Sequence, residues 1–289
     1  MPLPPRFLPL FLAGAVPCLR AQSPPQESAG EIMSRLAANQ ERAEQMRSAF
    51  VYKQSVLIRF RRSNGKFARE EDTEFTVAPT PLGTQKTRTH FLGKYERKGE
   101  TNEYHEPHHE YKGVDIDGDL ISDLAEDFTN DEHSKDGVAA DLFPLTGKHQ
   151  KNYAFRLEGA QDYRGKDVYR ITFQPSRRKD NDSDSDGTPW AGEVLVDRRE
   201  YQPVLITTRL ARGIPFLVKT LLGTDLKHLG FKLTYHRVEE GLWFPATYGG
   251  EFEVRGVFFY KRKISISVLN TGFQRAEVTS RILFGNPLP

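Results

Sequence analysis

The chain has 289 residues, 41 basic and 39 acidic side chains, a single cysteine and 11% aromatic residues. Nearly balanced charge gives no footing for a nucleic-acid surface, and a lone Cys18 rules out both an internal disulfide framework and a cysteine-bound zinc. The length allows one large β domain or two small ones.

Residues 1–21 read as a cleavable secretory signal peptide. Arg6 gives a charged start, Phe7 to Leu19 is almost wholly apolar, and Leu19-Arg20-Ala21 offers a small-residue boundary for cleavage before Gln22. The apolar run is shorter than the roughly 20 residues a membrane span needs, and Pro4, Pro5, Pro9 and Pro17 argue against a buried helix. The alternatives are such a helix or a lipid anchor at Cys18. The expected location is the periplasm or the outside of the cell. Loss of Arg6 and Arg20 with the leader leaves 39 basic and 39 acidic side chains.

Residues 22–28 form a polar, Pro-containing linker. Ser28 and Glu31 then have capping-box spacing. Ile32, Met33, Leu36, Ala37, Ala43 and Met46 follow at helical intervals, which predicts an amphipathic helix over 29–48. The period then changes to two. Val51, Ser55, Leu57 and Arg59 alternate against Tyr52, Gln54, Val56, Ile58 and Phe60, a strand that ends at the turn Ser63-Asn64-Gly65-Lys66. Residues 67–78, 84–98 and 101–112 read as three more strands. Helical patterns at 119–129 and about 137–150 join the halves. The second series is 153–161, 166–175, 190–198, 202–211, 230–239, 242–255 and 256–270. This spacing predicts a large antiparallel sheet of about ten strands, and a sheet that size tends to curl. The fold class is mainly β (α+β): a curved, unclosed barrel with an N-terminal helix and connecting helices covering the open side. The domain plan is a leader at 1–21, a linker at 22–28 and a single half-barrel domain at 29–286.

Four stretches have the composition of a site. Residues 213–229 are strongly apolar for an interstrand connection, with Phe216, Leu217, Leu221 and Leu222 between glycine and proline. They read as a short helix capping the barrel end, as a flap over an apolar cavity, or as a membrane-touching tip. Asp182, Asp184, Asp186 and Glu193 have calcium-loop spacing around Gly187, and a hard cation wants clustered carboxylates. The flanks, however, are strands, and Pro189 removes an N–H, which favours a solvated acidic hairpin. His105-Glu106-Pro107-His108-His109-Glu110 holds metal-binding side chains, but Pro107 prevents a helix, so a solvated hairpin or adventitious metal binding is expected. Asp115-Ile116-Asp117-Gly118-Asp119 reads as a turn with an aspartate N-cap. Gly-x-Ser-x-Gly, a Walker loop and a dinucleotide Gly-x-Gly-x-x-Gly are all missing, so no catalysis is expected.

Two further stretches are informative together. Gly165-Lys-Asp-Val-Tyr-Arg-Ile-Thr-Phe-Gln-Pro175 is followed by Trp190-Ala-Gly-Glu-Val-Leu-Val-Asp197 and Tyr201-Gln-Pro-Val204, and later by Gly241-Leu-Trp-Phe-Pro-Ala246. This order resembles the periplasmic lipoprotein-sorting and carrier superfamily of LolA, LolB and RseB-like proteins. Within it, the runs Phe143–Thr146 and Ile214–Leu226 are similar to exported proteins of acidobacterial type. The resemblance covers roughly residues 30–283. It implies a half-barrel whose apolar cavity receives the acyl chain of a lipid or lipidated protein. The large apolar groups of Trp243 and Phe252, with Phe216, Leu217, Leu221 and Leu222, are the candidates to line that cavity, unless they simply build the core. The expected function is a binding or carrier protein without cofactor, apart from the calcium alternative. A sensory or structural protein that binds another envelope protein is the second reading, and a hydrolase the third.

Overall fold

The computed structural model describes residues 27–80, 83–111, 115–129, 146–176, 190–210, 225–227, 230–255 and 260–276. The leader, the carboxylates Asp182, Asp184 and Asp186, and the apolar side chains of 213–229 lie outside the described residues.

Helix α1 (Ala29–Arg47) starts as its sequence dictates: the Ser28 side chain accepts from the Glu31 N–H, and the Ser28 N–H donates to Glu31 Oε2 at 2.8 Å. Glu27, just before it, is held by the hydroxyls of Tyr169 and Tyr201 and by Arg35 at 2.7 Å, which fixes the entry of the chain. Four strands follow: β1 (Phe50–Arg62), β2 (Phe67–Thr80), β3 (Gly83–Arg97) and β4 (Glu100–Tyr104). Then come α2 (Ile116–Thr129) and the short α3 (Gly147–Gln150). The second series is β5 (Tyr153–Tyr163), β6 (Lys166–Pro175), β7 (Trp190–Asp197), β8 (Pro203–Leu210), β9 (Asp225–Lys227), β10 (Lys232–Glu239), β11 (Leu242–Arg255) and β12 (Lys261–Arg275). At the β3–β4 hairpin both Lys98 and Gly99 have positive φ, the backbone twist that a two-residue turn needs to match its strands.

The strands make one open antiparallel sheet in the order β4-β3-β2-β1-β12-β11-β10-β8-β7-β6-β5, with β9 alongside β11. The first and last strands of the chain therefore pair at the middle of the sheet, through registers such as Gln54↔Asn270 and Ile58↔Ile266. The strands β4 and β5, consecutive in sequence, lie at opposite edges. Within the connection between them, α2 lies against β1 and β2 and α3 against α1. Ile32, Met33 and Leu36 of α1 and Leu120 and Ile121 of α2 join one core with the inward residues of the sheet. The inward row of β1 is the one its alternation predicts: Tyr52, Gln54, Val56, Ile58 and Phe60 are all buried.

Three expectations are corrected. The strand expected over 101–112 stops at Tyr104, and residues 105–111 turn away from the sheet. Pro107 supplies no N–H for a ladder, and His108 takes a left-handed backbone conformation at φ 57°. Helix α2 begins three residues before the expected 119, because Asp115 rather than a later residue caps it. The last strand, expected over 256–270, is described from Lys261 to Arg275.

Two glycines sit where backbones of the sheet approach closely. A Cβ on Gly192 would overlap the Thr207 carbonyl oxygen, and one on Gly250 would overlap that of Gly230. A side chain at either place forces the strands apart. We expect Gly192→Ala to destabilise the fold by about 1–3 kcal/mol in urea unfolding, as overpacking of a tight contact does; an unchanged midpoint would show that the approach is not tight.

Candidate functional site

The inner face of β2 is unusual. Its register sets Arg69 opposite Phe60, Glu71 opposite Ile58 and Thr73 opposite Val56, so a charged row faces an apolar one under α2. Arg69 is 0% and Glu71 3% exposed. Burying such groups is costly unless each finds a partner, and most of them do. The Arg69 guanidinium donates in three directions: Nη1 to Asp115 Oδ2 at 2.7 Å, Nε to the Tyr104 hydroxyl at 2.9 Å, and Nη2 to the His109 carbonyl at 2.6 Å. The Tyr104 hydroxyl in turn donates to Glu71 Oε1 at 2.6 Å. Asp115 uses its other oxygen to accept the Gly118 N–H at 2.9 Å, the aspartate N-cap expected from the sequence. One arginine thus ties the start of α2 and the 105–111 turn to the sheet.

Local sequence explains the fit. Tyr104 sits opposite Gly93 in the β3–β4 register, where a Cβ would overlap its ring. His109 stacks on that ring at 4.8 Å, and the Arg69 guanidinium lies 4.9 Å from its centre. A second anchor holds α2 two residues further on: Asp117 accepts from Arg262 Nε at 2.8 Å and from the Tyr260 hydroxyl at 2.6 Å. Burial is the main cause of a raised Glu71 pKa, which the Tyr104 hydrogen bond and the nearby Arg69, His108 and Arg88 charges only partly offset. Burial, and then the Glu71 charge, push the Tyr104 phenol up as well.

Between this row and α2 lies a cavity of about 120 Å³. Val56, Ile58, Phe75 and Phe91 make its apolar wall, and Glu71, Thr73 and Arg88 make its polar side. Ser122, Ala125 and Glu126 of α2, with Pro107 and His108, close it from above. Arg88 and Phe91, three residues apart, share this face because β3 carries a bulge: Glu74 pairs with His90 but Phe75 pairs with Arg88, so Thr89 is the extra residue. A wider recess of about 530 Å³ lies between α1, α3 and β5, lined by small residues such as Gly30, Ser34 and Ala37.

Of the sequence-predicted candidates that are described, Trp243, Phe252 and Glu193 are not among the residues lining the 120 Å³ cavity. Trp243 and Phe252 are 1% and 6% exposed within the main core. The Trp243 indole donates its N–H to Glu200 Oε2 at 2.8 Å, and Lys166 lies over its ring. Glu193 on β7 accepts from Arg170 Nε at 2.6 Å. The histidine cluster is split: His109 stacks on Tyr104, while His108 Nε2 lies 3.7 Å from Glu126. Among the described residues no three His, Asp or Glu side chains gather as a metal site.

No family model and no curated protein matches the chain. Solved structures similar to it include a DUF1329 family protein from Desulfovibrio piger (11% identity, 88% of this chain and 96% of that one, TM-score 0.34). A LolA superfamily protein from Nitrosomonas europaea is similar at 9% identity, over 88% of this chain and 96% of its own, with TM-score 0.34. An outer membrane lipoprotein-sorting protein domain from Vibrio parahaemolyticus is similar at 8% identity, over 84% and 92%, also with TM-score 0.34. Likenesses this distant decide neither fold nor function, which rest on the geometry above.

Two substitutions separate the roles of the buried charges. Arg69→Met leaves Asp115 buried without its cation, and is expected to cost about 3–5 kcal/mol in urea unfolding; a loss below 1 kcal/mol would mean that the network is slack. Glu71→Gln keeps an acceptor for Tyr104 and removes the charge. A carboxyl with a raised folded-state pKa binds protons more readily folded than unfolded, so its ionisation lowers stability as pH rises above the ordinary 4.5. Glu71→Gln should therefore match the wild type near pH 4 and become the more stable protein towards pH 8 in thermal unfolding. An advantage that shrinks with rising pH would contradict this.

Proposed function

We propose that this chain is an extracytoplasmic binding or carrier protein, without catalysis, for a ligand that bears an acyl chain, either a lipid or a lipidated protein. The observation that carries the reading is the cavity between β1–β3 and α2, apolar on one wall and roofed by a helix. Helix α2 is held on the sheet by side chains: Leu120 and Ile121 pack into the core, and Asp115 and Asp117 are tied to Arg69 and Arg262. A space of 120 Å³ is of the order that holds a benzene-sized group. A longer chain therefore requires α2 to rise from the sheet, exposing the core beneath it. Each methylene that replaces water contact there contributes about 0.8 kcal/mol, so a long chain offsets the lost α2 contacts with no catalytic group at all. The leader expected at 1–21 and the resemblance to lipoprotein carriers support the same reading.

The test is native mass spectrometry of protein purified from the envelope, with titration of a fluorescent fatty acid. Copurified lipid and saturable binding are expected. Ala125→Phe, which fills the cavity from the helix side, should weaken binding by about tenfold, the effect of roughly two lost methylenes. Absence of both copurified lipid and fatty-acid binding would reject the reading. An envelope protein captured without lipid would favour the second reading, a sensory or structural role.

A further inference from the structure

The end of the sheet beside the start of α2 carries more cations than the fold uses. Arg61 of β1 stands opposite Lys263 of β12, and Arg62 opposite Arg262, in the central pairing of the sheet. Like charges directly opposite one another across strands are destabilising. Acids resolve the second pair: Arg62 binds Glu96, and Arg262 binds Asp117 at 2.8 Å. The first pair stays unresolved. Among the described residues neither Arg61 nor Lys263 forms an ion pair, and nor does Lys66, which bonds to Arg62 across the β1–β2 hairpin; all three are exposed. The acids beside them are engaged elsewhere. Glu70 binds Arg59, and Glu253, opposite Lys263 in the β11 register, binds Arg255 and Lys261. The next acid on β11, Glu251, lies opposite Ser265, two positions further from this end. In a chain with 41 basic and 39 acidic side chains, this end is therefore locally basic. It also bears an apolar group. Ile116, the first residue of α2, is 46% exposed, and its neighbour Asp117 is the acid that binds Arg262.

We propose that this end of the sheet, with Arg61, Lys66, Lys263 and Ile116, is a docking surface for an anionic phospholipid bilayer. Cations with no acid of their own take lipid phosphates, and an apolar side chain among them enters the acyl boundary. A folded acidic protein is a poorer fit, because a stable protein interface has an apolar core, and Ile116 is the one large exposed apolar side chain described at this end. A layer of phosphates asks for no shape-matched groove. Each cation near an anionic surface improves partitioning about fivefold, so the three together give roughly a hundredfold. Salt screens this attraction. The inference rests on the carrier reading only in its need for a membrane to meet, and it names the surface that meets it.

The test is cosedimentation of protein purified from the envelope with vesicles, either of phosphatidylcholine or of phosphatidylcholine and phosphatidylglycerol in equal parts. Binding to the anionic vesicles is expected to be about a hundredfold tighter at low salt, and to fall steeply as salt rises. The triple variant Arg61→Gln, Lys66→Gln, Lys263→Gln should lose that preference. Lys148→Gln, Lys151→Gln, Lys232→Gln, an equal change of charge elsewhere, should keep it. Arg61→Glu alone sets an acid opposite Lys263. It should raise the melting temperature while weakening anionic binding by at least about tenfold, a gain in stability with a loss of docking. Equal binding to both vesicles, a triple variant that binds like the wild type, or a control triple that binds as poorly as the first overturns the surface. A lower melting temperature for Arg61→Glu removes its premise. Each of these outcomes leaves fatty-acid binding, measured by its own titration, untouched.

Discussion

Everything in this fold follows from one topological constraint: β4 and β5 are neighbours in sequence but sit at opposite edges of an open sheet. The pairing of β1 with β12 at the centre forces that outcome, since each half of the chain then adds strands outward from the middle. The segment between the halves has to travel from edge to edge. The inner face, rich in buried apolar side chains, is the surface on which α2 lies. The sheet is held by backbone pairing, strand to strand. Among the described residues, helix α2 meets the sheet through side chains, and the cavity lies between the two.

The buried network around Arg69 belongs to that boundary. Arginine suits the position because its planar fork serves three acceptors at once and stays charged under all ordinary conditions. It joins a strand (through Tyr104 and Gly93), a turn (through the His109 carbonyl) and a helix start (through Asp115). The same network orients Glu71 by fixing the Tyr104 proton on one of its oxygens. A second charged contact, Asp117 with Arg262 and Tyr260, stops α2 from pivoting about the first. Neither contact is cheap for the fold, because desolvation takes back much of the attraction. Buried charges under a helix that covers a cavity are better understood as positioning devices than as a source of stability.

Much of the local structure was legible in the residues. The capping box at Ser28 and Glu31, the Asn64-Gly65 turn, the aspartate cap before α2 and the inward row from Tyr52 to Phe60 each depend on neighbours within a few positions. The site was not legible for three reasons. Arg69, Glu71 and Thr73 alternate with equally polar residues, so β2 shows no apolar face from which to infer burial. The bulge at Thr89 breaks strand parity and brings Arg88 and Phe91 to one face. Trp243 and Phe252 are large and apolar, which describes core residues as well as it describes a cavity lining.

By itself, the sequence determined an all-antiparallel β architecture with a leading amphipathic helix, a chain of balanced charge, and the ends of most elements, because hydrophobic period, capping and turn chemistry act over short distances. Only the tertiary structure decided which strands became neighbours, that the connecting helix lay on the inner face, and that a carboxylate on β2 came to stand buried beside a cavity. Those outcomes depend on contacts between residues dozens of positions apart, such as Arg69 with Asp115 and Asp117 with Arg262, and no local pattern encodes the partner of a buried charge.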